Sequence, residues 1–489
     1  MTDLIGQLID EIGPGQMAST AYDTAWGARL GEIDWGISSR ALSWLAENQL
    51  PDGSWGASAP MYYHDRVICT LAAMIALSVR GRRGHDKAQI ERGKLALERI
   101  AGGATQGLRA DPNGATVGFE MIAPTLTQEA EKLGIIQNQG NRILGRLSKQ
   151  RAKKLSYIQG KMINRQMTMA FSAEMAGIDG QHMLDIQNLQ ETNGSVGVSP
   201  SATAYFATYI KKGDAAALNY LRSILKPDGG LPNVAPFDVF EIGWTLWNLS
   251  LIPGMDHTAK LKPHLDFLSK AWQPKIGIGF AAGYSVKDSD DTGLVYETLL
   301  RYGIEKDLAS VLGYEEKDHF RCFDLEVNPS ISANIHVLGA LGQAGLTAKN
   351  SSVNKIIHFL YKARGLQPYW MDKWHSSQYY ATAHAIIACA GVANELVEES
   401  VQWMLGSQNS NGSWGTYLST AEETAYALQA LWVWNQKVAR IPKAILKNGA
   451  RWLKENMDQP YQPLWIGKCL YSPSLVIRSA VISALALAS

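Results

Sequence analysis

A chain of 489 residues is too long for one ordinary core and implies two or three domains. Its residues are 46% apolar and only 19% charged, which suits a globular protein with a large buried cavity. With a formal net charge of +1 and no basic stripe, it offers nothing to nucleic acid.

From the N-terminus, residues 2–12 form a short amphipathic pattern closed by Gly13-Pro14-Gly15. This start lacks the basic and long apolar regions of a signal peptide. The longest apolar runs, 385–393 and 480–488, are well under the ~20 residues that span a bilayer and read as buried helices. Cys69, Cys322, Cys389 and Cys469 are isolated, with no C-x-x-C, so neither a zinc ribbon nor a disulfide framework is supported. A reducing cytoplasm is the expected location.

Helical periodicity at 41–45 stops at Gln49-Leu-Pro-Asp-Gly-Ser-Trp-Gly56, and the same phrase returns as Gln408-Asn-Ser-Asn-Gly-Ser-Trp-Gly415. Weaker copies stand at Gln190–Gly197 and Lys226–Gly230. The Asn-Gly and Asp-Gly pairs supply the positive-φ corner of a tight turn, and the Trp can pin that turn to neighbouring helices. A repeating helix–turn–helix unit must bury its faces against other copies. Between the turns, 67–79, 88–100, 202–209, 215–225 and 424–434 read at helical spacing, and strand-like alternation is scarce. The basic run Lys149 to Lys154 reads as a solvated helix face.

The turn Lys287-Asp288-Ser289-Asp290-Asp291-Thr292 leads into the apolar run 293–300. Ser, Asp and Thr there are ordinary N-cap residues, and acids suit the positive end of a helix. Three carboxylates in four residues also repel, and burial with like-charged neighbours raises a carboxyl pKa from ~3.9 toward neutrality. Capping and acid chemistry do not exclude each other.

Asp288, Asp290 and Asp291 form the pattern Asp-x-Asp-Asp, which resembles the acid motif of class II terpene cyclases. Other stretches resemble the branch acting on prenyl diphosphates. They are Ser19-Thr-Ala-Tyr-Asp-Thr-Ala-Trp26 (with Thr20 inserted), Gly118-Phe-Glu120, Ser199-Pro-Ser-Ala-Thr-Ala204, Gly229-Gly-Leu-Pro-Asn233 and Trp465-Ile-Gly-Lys-Cys-Leu-Tyr471. They keep the family's order across nearly the whole chain. The repeated Gln–Trp turn is similar to the QW motif of α-barrel cyclases, where it is architectural.

The resemblance implies an all-α fold of two helical barrels in the βγ arrangement, without the third, class I α domain of plant relatives. Residues 1–20 and 250–489 would form the β barrel, and 21–249 the inserted γ barrel. Asp290 would be the acid that protonates a terminal alkene, with Asp288 and Asp291 raising its pKa and Asn334 hydrogen-bonding it. His336 is expected to be a satisfied core histidine. Glu120 would bind Mg²⁺, and Lys154, Lys373 and Lys468 would contact the diphosphate. The Asp-Asp-x-x-Asp motif that ionises diphosphates in class I enzymes is missing. The product should therefore keep its diphosphate, and a downstream terpene synthase or phosphatase would remove it.

Where family members making copalyl-type products have a His paired with the Asn of Gly-Gly-x-Pro-Asn, this chain keeps Asn233 but has Phe171. A phenyl ring accepts no proton yet stabilises a cation on its face. The expected product from geranylgeranyl diphosphate is therefore a rearranged decalin of kolavenyl or halimadienyl type. Copalyl diphosphate, or a drimenyl product from farnesyl diphosphate, are the alternatives. Three rival readings stand further off. A squalene–hopene type cyclase shares the acid turn but not Tyr-Asp-Thr-Ala-Trp. A prenyltransferase β subunit needs a zinc site, for which His384 and Cys389 are poorly spaced. A helical scaffold that only binds is the third.

Overall fold

The structure is a computed structural model that describes residues 2–81, 83–101, 107–111, 114–137, 147–156, 160–254, 258–458 and 460–488. Two rings of helices account for nearly all of it. In the larger, the helices Asp238–Ser250, Ser289–Arg301, Ile331–Gln343, Gln378–Cys389, Ala421–Lys437 and Ser474–Leu487 each pack on the next, and the last closes on the first. These inner helices are buried on nearly every side. Their sequences are accordingly apolar or small all round rather than striped.

The outer helices show the opposite pattern. Lys443–Glu455 buries only Gly449 and Leu453 and turns its lysines to solvent. Thr2–Asp10 takes an outer position between Ser474–Leu487 and Thr258–Ala271, placing Ile5, Leu8 and Ile9 in the same core as residues beyond Val239. The smaller ring consists of Ala21–Ala28, Tyr63–Arg80, Phe119–Lys132, the 3₁₀ segment Thr168–Ala176 and Pro200–Tyr205, around a separate core from Ala21 to Leu231 that Cys469 also enters. The all-α double barrel with an inserted unit is thus the fold.

The return to the larger barrel comes earlier than residue 250. Val239, Ile242, Trp244, Leu246, Trp247 and Leu249 already pack in the larger core. No change in composition marks this seam, because both barrels need the same kind of inner helix.

The Gln–Trp turns act as staples. Trp55, Trp370 and Trp414 each donate Nε1–H to the carbonyl ten residues earlier, on Leu45, Leu360 and Met404, at 2.8, 2.9 and 2.8 Å. Each also donates its backbone N–H to a threonine hydroxyl on the following inner helix: Thr70, Thr382 or Thr424. Every turn thereby ties an outer helix to the next inner one. Trp370 lacks the Asn/Asp-Gly corner, so its copy is hidden in the sequence.

Candidate active site

The acid turn sits at the N-terminus of the Ser289–Arg301 inner helix. Asp288 is its N-cap, accepting from the Asp291 N–H at 2.7 Å. Asp288 Oδ2 and Asp291 Oδ1 are buried and have no hydrogen-bond partner. Burial, and then the charges of the neighbouring carboxylates, push Asp291 well above the usual range. Burial pushes Asp288 up to about 7, the capping N–H opposing it. A buried carboxyl oxygen without a donor favours the protonated form, and groups this close share their protons as a set.

Asp290 is placed differently. Its side chain keeps 14% of its accessible surface, so it reaches toward open space, and its Oδ1 lies 2.5 Å from His336 Nδ1. His336 Nε2 lies 2.8 Å from His384 Nδ1. Three successive inner helices supply Asp290, His336 and His384. Gly293 permits their approach, since a Cβ there would stand 3.0 Å from the His336 carbonyl carbon.

His384 is fully buried against Trp247, with ring centroids 4.6 Å apart, and its Nε2 has no partner. Burial and the adjacent histidines hold its pKa well below the ordinary value, so it is a neutral imidazole. One tautomer set suits an acid. With His384 Nδ1–H toward His336 Nε2, His336 turns Nδ1–H toward Asp290 Oδ1 and leaves the other carboxyl oxygen without a histidine.

This corrects two expectations. Asn334 does not hold the acid: its amide accepts from Phe320 N–H and donates to the Phe320 and Ser330 carbonyls at 2.8–2.9 Å. It anchors the 320–322 backbone, whose Cys322 carbonyl receives the Ser289 N–H. His336, expected to be core packing, is the group on the acid.

Aromatic rings surround this corner. Trp244 meets His336 edge-on at 5.4 Å and stacks on Phe240 at 4.1 Å, while Tyr380 and Trp465 lie 4.8 Å apart. A further cluster spans the seam. Val198, Val234 and Phe237 from one side meet Ala281, Tyr284 and Val286 from the other, with Phe171, Phe280, Phe323 and Tyr471 packed against them.

The residues expected at the diphosphate end separate into two groups. Glu120 and Lys154 are brought together as an ion pair joining two helices of the smaller barrel. Lys373 instead pairs with Glu326 and donates to the Asn328 carbonyl. Glu326 accepts from Cys322 N–H, so Lys373 stands beside the acid corner, already paired there.

Lys468 is fully buried at the seam, donating to Glu174 Oε1 at 2.6 Å and to Ser199 and Ser201 Oγ at 2.7 Å each. Its three protons are used, which removes it from phosphate binding. Its ammonium lies 4.6 Å from the Phe171 ring centroid. Asn233 donates to Asp23 at 3.0 Å and to Cys469 Sγ at 3.2 Å, so one short segment, Lys468-Cys469, touches both Phe171 and Asn233.

Residues 322–458 match the family model of the squalene-hopene cyclase C-terminal domain. The chain is 44% identical over 479 residues to a type B diterpene cyclase of Mycobacterium tuberculosis, covering 96% of each. The chain belongs to the class II diterpene cyclases. This cyclase superposes on the ent-copalyl diphosphate synthase of Streptomyces platensis with a TM-score of 0.81, at 27% identity over 99% and 98% of the two chains. It shares its fold with the ent-copalyl diphosphate synthase of Arabidopsis thaliana, solved with (S)-15-aza-14,15-dihydrogeranylgeranyl thiolodiphosphate (TM-score 0.69, 23% identity, 99% of this chain and 62% of that one). Among the described residues of the cyclase, no helix is long and apolar enough to cross a membrane.

Sequence reading missed His336 as the partner of Asp290, His384, and the rings of Phe240, Trp244, Tyr380 and Trp465 around them. A signal for the first was present: residues 332, 336 and 339–340 share a helical face that only small side chains and one histidine occupy. These rings gave none, since aromatics at helical spacing look alike wherever they pack.

Proposed function

We propose that this cyclase protonates the terminal alkene of geranylgeranyl diphosphate and releases a rearranged bicyclic diterpenyl diphosphate. The observation that carries this reading is the asymmetry of the acid corner. Asp288 and Asp291 are sealed in, whereas Asp290 alone of the three reaches open space with a histidine behind it.

In the first step the alkene π pair takes the proton from Asp290, leaving a tertiary cation and a carboxylate. His336 donates to that carboxylate throughout and steadies the charge as it appears. Two further alkenes close the decalin, and the aromatic faces beside Asp290 stabilise the migrating charge. On this reading Phe171 offers no early base to the bicyclic cation, so hydride and methyl shifts precede loss of the final proton. The diphosphate stays, and an enzyme that ionises or hydrolyses allylic or primary diphosphates must act next.

The diphosphate would lie at the smaller barrel, toward Glu120 and Lys154. One carboxylate already paired with a lysine is a poor site for Mg²⁺ alone, but it fits a cation that arrives with phosphate oxygens and keeps several waters. When bound there, Mg²⁺ would neutralise the diphosphate. Glu120 would hold it, and Lys154, released from Glu120, would face a phosphate oxygen.

The test is incubation with geranylgeranyl and farnesyl diphosphates plus Mg²⁺, followed by dephosphorylation and product identification. A rearranged decalin alcohol from the C20 substrate supports the reading. Unrearranged copalyl diphosphate as sole product sinks the rearrangement, and turnover of farnesyl diphosphate alone sinks the substrate. Glu120→Gln should weaken the Mg²⁺ response, and an unchanged response removes Glu120 from the metal.

A further inference from the structure

Two of the four isolated cysteines meet across the seam, although they are 400 positions apart in the chain. Asp65 and Cys69 stand one helical turn apart on the Tyr63–Arg80 helix of the smaller barrel, and Cys69 Sγ lies 3.6 Å from Asp65 Oδ1. Cys469 comes from the segment between β1 (Trp465–Ile466) and β2 (Leu470–Tyr471), which belongs to the larger barrel's half of the chain. The carboxylate oxygen and both sulfurs lie within 4.8 Å of one another, and all three residues are buried. Among the described residues they are the group with the donor atoms and spacing to hold a metal.

We infer that Asp65, Cys69 and Cys469 form a binding site for one thiophilic divalent cation of the Zn²⁺ class, joining the two barrels at the seam. Thiolates 2.3 Å from a tetrahedral zinc stand ~3.8 Å apart, so the side chains need to close by about 1 Å at most. The carboxylate is already oriented, as a metal-bound carboxylate usually is, by backbone donors: Ala57 N–H at 2.7 Å on one oxygen and Leu470 N–H at 2.8 Å on the other. A cavity of about 130 Å³ is lined by these same three residues together with Thr20, Tyr471 and others. Water occupies ~30 Å³ per molecule, so the space admits the ion and a water as fourth ligand.

On binding, each thiol gives its proton to solvent and its sulfur lone pair to the metal, with no change in oxidation state. A packing role for the cysteines would explain their burial, but not a carboxylate and an open space between them. Cys469 Sγ also accepts from Asn233, so an ion here pulls on an amide beside the seam cluster.

The experiment uses the full chain, reduced and metal-free, titrated with Cd²⁺ while the near-ultraviolet thiolate-to-cadmium absorption is followed. One ion per chain is expected, falling to none in Cys69→Ala and in Cys469→Ala and staying at one in Cys389→Ala. A second measurement needs no variant and so does not depend on their stability: maleimide labelling of the wild type with and without Zn²⁺, read by peptide mass. Protection of Cys69 and Cys469 together supports the site. No stoichiometric band, a band that survives Cys469→Ala, equal labelling with and without Zn²⁺, or a Cys69–Cys469 disulfide in the protein as isolated would each overturn it.

Discussion

At the start of the Ser289–Arg301 helix three carboxyl groups crowd together, and no lysine or arginine donates to any of them among the described contacts. Lys287, next in sequence, turns its ammonium to the Tyr284 carbonyl instead. Across the seam the same kind of group is treated the other way. Glu174 and Asp23 are as deeply buried, but Lys468 sits on Glu174, flanked by the Ser199 and Ser201 hydroxyls. Asp23 accepts from the Ser201 N–H, from Thr20 and from Asn233. Burial still lifts Asp23 to about 6, with Lys468 and these donors pulling it back. A buried carboxyl is accommodated either by keeping its proton or by pairing with a cation and hydrogen-bond donors.

The sharpest way to break this contrast is Asp290→Asn, which keeps the shape and removes the proton. Cyclisation should fall by about 10³- to 10⁴-fold with thermal stability retained. Product formation near the wild-type rate would move the acid elsewhere. Lys468→Met is the mirror experiment. It leaves Glu174 buried without its cation and should cost about 3–5 kcal/mol of stability, read by denaturant or thermal unfolding. Unchanged stability with a raised KM would instead return Lys468 to the diphosphate.

The pH dependence follows from the acid corner. Asp288 has a folded pKa near 7 against an ordinary value of 3.8, so the fold favours its protonated form. The stability this lends is fully present below about pH 4 and is lost as pH rises through 7. Asp288→Asn keeps the cap acceptor and cannot ionise. It should therefore raise the melting temperature relative to wild type at pH 8 more than at pH 5. An equal change at both values would mean that Asp288 does not titrate in this range. Smaller again, His336→Phe should lower kcat by roughly 10- to 100-fold, the worth of one hydrogen bond to a charged group. His384→Phe should cost less and shift the pH profile, because it frees the His336 tautomer. A His384 variant with the wild-type profile and rate would confine the relay to His336.

Much of this was legible in the chain because certain residues have narrow uses. The Asn/Asp-Gly corners and their Trp staples announced repeated helical hairpins, and the Asp-x-Asp-Asp turn announced a helix cap with crowded carboxyls. What stayed hidden depends on distance across the fold. Lys373 and Lys468 carry the same charge in sequence as Lys154, yet one is neutralised beside the acid and the other inside the seam. Asn334 and His336 are two residues apart on one helix, and only the turn of that helix decides which meets Asp290. Cys69 and Cys469 look isolated because nothing local links positions in different barrels.

The smallest effect concerns the seam side of the comparison, where Phe171 stands. Phe171 packs into the apolar cluster with Phe237, Tyr284 and Val286 while the Lys468 ammonium lies over its ring. A phenyl face tolerates that charge and offers no lone pair to a passing carbocation's proton. In Phe171→His the new imidazole would stand beside the same ammonium. Like charge and burial both disfavour its protonation, so it would remain a neutral base at pH 7. A base reaching the bicyclic cation before the hydride and methyl shifts competes with them. A change of about 1.4 kcal/mol in that competition alters the product ratio tenfold. The expected outcome is a new share of unrearranged copalyl-type alcohol after dephosphorylation, at a total turnover within a few-fold of wild type. The same variant in a Lys468→Met background should lose that share if stability permits the assay, because the imidazole is then free to protonate. An unaltered product spectrum in Phe171→His, with the protein folded and active, would mean that Phe171 is packing alone and that the terminal proton leaves by a group elsewhere.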